Sequence, residues 1–191
     1  IPFDSRFRPG KSGLPTNLSL CLTYRCNLKC VMCRQNRDTP AGYGGKTWYD
    51  PGKELPIDVW VDLLRQVEKF HPWLYVTGGE CTLYPHFREL VTEAKARKLL
   101  VQVQTNGTLL AKHAEFLVES GVEIVTISLD GPREIHDRIR GVSGTFDAVQ
   151  RGADALVEAR RKQGAHGPIV SFNFTISKAN YEYMAETVEE A

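Results

Sequence analysis

Short apolar runs alternate with longer stretches of helical periodicity along these 191 residues, and that alternation leaves few folds open. Residues 18–24 read as a first strand. A helix follows from about Asp58, with Trp60, Leu63, Leu64, Val67 and Phe70 at helical spacing. Trp73–Thr77 reads as a second strand, and Phe87, Leu90, Val91 and Ala94 mark the next helix. Residues 99–104 form a third strand, followed by a helix through Phe116 and Leu117 that stops at Gly121. A fourth strand covers 122–129 and a long helix runs through Phe146, Val149, Ala153, Leu156 and Val157. Residues 169–176 are a fifth strand, and a last helix starts near Tyr181.

Such alternation builds βαβ units around a parallel sheet. The strands beginning near 73, 99 and 122 are about one βα unit apart, which favours a barrel over the competing doubly wound open sheet. The expected fold is α/β, a partial parallel (βα) barrel of five visible units. Its last helix runs into Glu189, Glu190 and Ala191 without a stop signal, so a C-terminal part is expected to be missing. Residues 1–16 read as an N-terminal extension and 17–191 as the core domain.

Lys plus Arg number 24 against 23 Asp plus Glu, a formal net charge of +1. That balance carries no electrostatic footprint for a nucleic-acid backbone or an anionic membrane. No run approaches the ~18 apolar residues of a membrane span, and the first residues lack a signal peptide's apolar region. Neither nucleic acid nor membrane is an expected partner. Five cysteines are an odd count, with three inside eight residues. That pattern argues for a metal site in a reducing compartment, so the cytoplasm is the expected location. The stretch 34–57 mixes Gly42, Gly44, Gly45 and Gly52 with Tyr43, Trp48 and Tyr49, and reads as a substrate-side loop or lid.

Cys26, Cys30 and Cys33 form a C-x3-C-x2-C motif directly after the first strand. Thiolates are the natural ligands of iron–sulfur clusters, which ordinarily take four of them. Three close together would leave one iron of a [4Fe–4S] cube open to a small molecule. A structural zinc site is the plainer alternative, but zinc usually takes its four ligands as two separate pairs. No second pair is present, and His71 and His86 read as surface or helix-end residues. Cys21, inside the first strand, reads as a core residue. Cys81 has three readings, as a fourth metal ligand, a substrate-facing group or a neutral residue, of which the neutral one is favoured.

Polar and glycine-rich motifs end the other strands. Gly78, Gly79 and Glu80 follow the second, where glycine lets a ligand approach the backbone and a carboxylate can accept from an ammonium group. Thr105, Asn106 and Gly107 follow the third; Ser128, Leu129, Asp130 and Gly131 end the fourth. Asp130 could simply cap a helix. In a βα barrel all these turns converge on the C-terminal face of the sheet, where active sites form.

Together, from about Leu18 to Ile176, these motifs resemble the radical S-adenosylmethionine (SAM) superfamily. In that family three cysteines hold a [4Fe–4S] cluster, and the amino and carboxylate groups of SAM chelate its fourth iron. An electron then cleaves SAM to methionine and a 5′-deoxyadenosyl radical, which abstracts hydrogen from the substrate. The resemblance implies Cys26, Cys30 and Cys33 as cluster ligands. It places Gly78, Gly79 and Glu80 against the SAM amino group, and Ser128 and Asp130 near its ribose and methionyl parts. Thr105 and Asn106 join the SAM-binding set, and Arg140 pairs with the SAM carboxylate through its planar fork of donors. Arg138 is the lesser alternative to Arg140, and His136 is expected to be structural. Met32 stands where the family often has an aromatic residue, and Cys81 where it usually has proline. The implied cofactors are the [4Fe–4S] cluster and SAM. The implied partners are an electron donor such as flavodoxin or ferredoxin and an unidentified substrate, a peptide or a small metabolite. Two rival functions remain open: a non-catalytic iron–sulfur or zinc module, and a SAM enzyme that uses its cluster for methyl transfer.

Overall fold

The structure, a computed structural model, describes residues 13–33 and 53–190. Five strands form one sheet: β1 (Asn17–Cys21), β2 (Trp73–Thr77), β3 (Leu100–Thr105), β4 (Ile124–Ser128) and β5 (Ile169–Asn173). They lie side by side in sequence order, and every pair is parallel. A doubly wound sheet reverses its order at a switch point, and no reversal occurs here. Right-handed crossovers between successive neighbours put the connecting helices on one face of the sheet. The result is the partial βα barrel that the alternation implied, with β1 and β5 as its edges among the described residues.

The connections are α1 (Ile57–Val67), α2 (Phe87–Ala96), α3 (Ala114–Glu119), then α4 (Arg133–Arg140) with α5 (Thr145–Lys162), and α6 (Met184–Glu190) after β5. Burial along the strands alternates with the pleat. Leu20, Leu74, Val76, Val101, Val103, Val125 and Ile127 are buried, and they join Trp60, Leu64, Leu90, Val91, Leu117, Val149 and Leu156 of the helices in one core. At roughly 1.5–3 kcal/mol for each large side chain fully buried, this layer is what holds the helices to the sheet.

The opposite face carries Ser19 and Cys21, Tyr75 and Thr77, Gln102 and Gln104, Thr126 and Ser128, and Ser171. Its hydroxyls and amides pair across strands: Tyr75 Oη donates to Gln104 Oε1 (2.8 Å), and Gln104 Nε2 to Ser128 Oγ (3.1 Å). Gln102 Nε2 donates to Thr126 Oγ1 (3.0 Å) in the same way. A polar, partly accessible inner face is what a barrel wall beside a ligand cavity requires. Cys21 lies on this face and is only half-buried, so it is not the core residue that its place in a strand suggested.

Helix α4 was not foreseen as a separate element. Its buried residues are His136, Ile139 and Arg140, two of them polar, and its only apolar residues are Ile135 and Ile139, too few over eight residues to stand out in the sequence. Asp137 sets the corner that follows, accepting from Gly144 N (2.5 Å), Thr145 Oγ1 (2.6 Å) and Phe146 N (2.8 Å) to cap α5. Most of the expected N-terminal extension, and 34–52 of the expected lid, lie outside the described residues. Where the chain resumes it is anchored on the barrel: Arg25 pairs with Glu54 (2.8 Å), and Tyr84 Oη donates to Leu55 O (2.8 Å).

Candidate active site

Past β1 the chain turns back across the end of β2. Gly79 N donates to Thr23 O (2.7 Å) and Glu80 N to Arg25 O (2.8 Å), so the two strand-end loops zip together. Glycine is required for this approach. A Cβ on Gly78, whose φ is 154°, would lie 2.5 Å from Thr23 O, and one on Gly79 would lie 2.4 Å from Arg25 O. The glycines first accommodate the base of the cysteine loop, a use that the ligand-approach reading had not included.

The far side of the cysteine loop rests on the C-terminus of α4. Lys29 N donates to Arg140 O (3.1 Å) and Val31 N to Ile139 O (2.9 Å), filling two carbonyls that the helix end leaves free. Gly141, with φ 72°, ends α4, and a Cβ there would come within 2.4 Å of Lys29 O. Backbone bonds therefore hold the loop carrying the thiols between β2 and α4, and the Asn27 side chain adds a bond to Thr108 Oγ1 (2.8 Å) beyond β3.

These elements enclose a cavity of about 440 Å³ at the C-terminal end of the strands, within the ~300–1,000 Å³ usual for small-molecule sites. Cys26, Cys30 and Cys33 line it, with Gly78 and Gly79, Thr105 and Asn106, Ser128 and Arg140. The strand-end motifs thus converge as their placement implied. Burial raises the Cys26 and Cys30 thiols above the ordinary range, and Arg140 pulls Cys30 back down. Arg140 Nη1 stands 3.8 Å from Cys30 Sγ, and Asn106 Nδ2 stands 3.8 Å from Cys26 Sγ.

Two of the expected SAM contacts are placed elsewhere. Glu80 is 1% exposed and is absent from the cavity wall. Its carboxylate accepts from Thr82 N (3.2 Å) and Thr82 Oγ1 (2.6 Å), from Thr105 Oγ1 (2.8 Å) and from Asn106 N (2.7 Å). Those donors occupy it fully, so in this conformation it ties the end of β2 to the end of β3. Thr105 reaches the cavity with its hydroxyl turned away to Glu80. Asp130 is also buried and off the wall. It forms an ion pair with Arg140 (2.6 Å), and its Oδ1 accepts from Thr175 N (2.9 Å). Burial pushes the Asp130 carboxyl up, with Arg140 opposing.

The remaining candidates have structural places. His136 is fully buried and accepts from Asp130 N through Nδ1 (3.1 Å), which puts its proton on Nε2. Desolvation, with Arg140 adding to it, lowers its pKa to about 4. Cys81 is fully buried, donates to Gln104 O (3.2 Å) and is held neutral by desolvation. Arg138 is exposed, and His86 is an exposed helix-end residue paired with Glu89. The cavity also takes in Met32, noted in the cysteine motif, and Leu28, Thr77, Gln104 and Thr175, which sequence reasoning did not name as site residues. Gln104 was findable, because Gln102 and Gln104 alternate with Val101 and Val103 and so mark the inner face.

The donor set fits an iron–sulfur cluster and SAM. Among the described residues, no three His, Cys, Asp or Glu side chains gather tightly enough to hold one metal ion. The three thiols instead line one cavity, and in an iron–sulfur cube each ligated iron takes one thiolate. No fourth thiol lines that cavity. Arg140 lines it as well, and its guanidinium is a group suited to a carboxylate. The family profile described as the Radical SAM superfamily matches residues 20–191. This chain belongs to the radical SAM superfamily. The superfamily's members are enzymes that use a [4Fe–4S] cluster and SAM.

Similar to this radical SAM chain is an AdoMet-dependent heme synthase of Methanosarcina barkeri, 35% identical over 185 residues, covering 94% of this chain and 48% of that protein. The mycofactocin maturase MftC of Mycobacterium tuberculosis is 36% identical over 148 residues, covering 76% of this chain and 35% of that protein. The fold also matches Streptococcus suis SuiB bound to its precursor peptide SuiA, with TM-score 0.73, 22% identity, and 92% and 36% of the two chains covered. The chain spans 48% or less of the length of these proteins. No helix among the described residues is long and apolar enough to cross a membrane.

Proposed function

We propose that this chain holds its [4Fe–4S] cluster on Cys26, Cys30 and Cys33 and cleaves SAM reductively to start radical chemistry on a peptide or small metabolite. The observation that carries the proposal is the meeting of the three thiols, the Gly78–Gly79 backbone and Arg140 on one cavity wall. When bound, the cluster supplies one electron that splits SAM into methionine and a 5′-deoxyadenosyl radical, which removes a hydrogen atom from the substrate.

The chain's own residues bind and orient. The three thiolates take three irons and leave the fourth for the SAM amino and carboxylate groups. The Arg140 guanidinium, on the cavity wall, suits that carboxylate. The carbonyls of Gly78 and Gly79, clear of side chains, are acceptors for the ammonium. Gln104 and Ser128 offer amide and hydroxyl groups to the sugar, while Leu28 and Met32 give the wall apolar surface that excludes water. Glu80 and Asp130 act one step back, fixing the groups that touch SAM. The electron comes from a donor such as flavodoxin or ferredoxin. The heme synthase and the peptide-bound SuiB among the similar proteins support a substrate in the range from small metabolite to peptide.

Product analysis tests the proposal. Under strict anaerobic conditions, reconstituted protein with a strong reductant and SAM should release 5′-deoxyadenosine and methionine, and the Cys30→Ala protein should release neither. S-adenosylhomocysteine in place of 5′-deoxyadenosine would assign methyl transfer instead. SAM binding without any cleavage, also in a longer chain carrying this sequence, would leave a binding module.

A further inference from the structure

Two buried carboxylates at the ends of β2 and β4 each hold a nitrogen donor against a different cysteine of the triad. Glu80 accepts from the Asn106 backbone N–H (2.7 Å), and Asn106 Nδ2 stands 3.8 Å from Cys26 Sγ. The Asn106 side chain has little freedom to turn away. Its Oδ1 accepts from Thr108 N (3.0 Å) and Thr108 Oγ1 (2.7 Å), and its Nδ2 also donates to Asn27 Oδ1 (2.9 Å). On the other side, Asp130 pairs with Arg140 Nη2 (2.6 Å), and Arg140 Nη1 stands 3.8 Å from Cys30 Sγ. Asp130 is itself fixed, by Thr175 N (2.9 Å) on Oδ1 and by Asn180 Nδ2 (3.0 Å) on its carbonyl. Glu80, Asn106, Asp130 and Arg140 are all buried, so water offers these donors little competition.

We infer that Glu80–Asn106 and Asp130–Arg140 are two relays that set the reduction potential of the cluster by donating to the thiolates of Cys26 and Cys30. Asn106 and Arg140 are the donors; Glu80 and Asp130 are positioning residues. The inference rests on the proposed cluster and extends it. Reduction adds one electron to a centre already carrying negative thiolates. A donor on a ligand sulfur stabilises the more negative state, and hydrogen bonds to sulfur are among the levers on such potentials. Arg140 brings a full positive charge and Asn106 a dipole, so the Arg140 relay is the stronger of the two.

The test is a redox titration followed by electron paramagnetic resonance on the anaerobically reconstituted chain, without SAM, so that any contact of Arg140 with SAM plays no part. Arg140→Met and Asn106→Leu should both move the midpoint to more negative potential, Arg140→Met by more, with iron content unchanged. Arg140→Lys should restore part of the shift. Unchanged midpoints in both variants at full iron content would overturn the inference. Should a variant lose its cluster, the wild-type protein still decides the matter. Its reduced cluster, prepared in ordinary and in deuterated buffer, should show proton couplings by electron–nuclear double resonance that deuteration removes, and the absence of such couplings would overturn the relays. A wild-type chain that binds no iron is a different failure, that of the cluster reading itself.

Discussion

Replacing Glu80 with alanine should unfasten the end of β2 from the end of β3 before it affects any ligand. The carboxylate accepts from two backbone amides, Thr82 N and Asn106 N, and from two hydroxyls, Thr82 Oγ1 and Thr105 Oγ1. The hydroxyls can rotate to other acceptors, whereas the amides cannot. Each buried donor left unsatisfied costs about 1–3 kcal/mol, so the two amides together imply a loss of about 2–6 kcal/mol. The magnitude is a large fraction of the ~5–15 kcal/mol that holds a domain together. Glu80→Gln keeps the shape and one acceptor oxygen but turns an NH2 toward groups that are themselves donors, and should lose about half as much. Urea denaturation of the cluster-free, fully reduced chain checks both values without interference from iron. A Glu80→Ala protein as stable as wild type, with only its SAM affinity reduced, would refute the structural role and return Glu80 to direct contact with the amino group.

Cys81→Ala should keep the full iron content after reconstitution and lose only about 1 kcal/mol of stability, because the thiol is buried and bonded to Gln104 O; loss of iron would make Cys81 a ligand. Gly79→Ala should do the reverse, lowering iron occupancy through displacement of the cysteine loop, since its Cβ would meet Arg25 O at 2.4 Å; its overpacking cost of at least about 1–3 kcal/mol should also appear in urea denaturation. His136 has a folded pKa lowered to about 4 from 6.5, so the unfolded chain binds its proton first as pH falls. Its contribution is complete above pH 6.5 and drains away as pH falls toward 4, by up to about 3 kcal/mol. Urea titrations across that window should show the slope, and His136→Gln should flatten it.

The inner and outer faces of the barrel were legible because β1 and β3 alternate apolar with polar residues, and the strand ends because Cys26, Gly78, Thr105 and Ser128 interrupt apolar runs. Helix α4 was not, because its eight residues hold only Ile135 and Ile139 as an apolar pair, with His136 and Arg140 making up the rest of the buried side. The motifs identified the turns correctly, yet residue type could not say which way each side chain faces. Glu80 and Asp130 carry the charge expected of a ligand contact, but both point into the protein, where backbone amides and Arg140 compensate their burial. Cys21 shows the same limit in the other direction. A small hydrophobe in a strand suggests the core, but the pleat puts this one on the polar inner face, in phase with Ser19.

The central claim is that three thiolates hold the cluster and leave one iron facing the cavity. Mössbauer spectroscopy of the iron-57 protein, reconstituted anaerobically, tests it most directly. The account predicts about four irons per chain, of which one alone changes its signal when SAM is added, through the nitrogen and oxygen it gains. Arg140→Lys should weaken the SAM dependence of that change without altering the iron count. Four irons that stay equivalent before and after SAM, or a chain that takes up a single metal ion on the triad, would contradict the account.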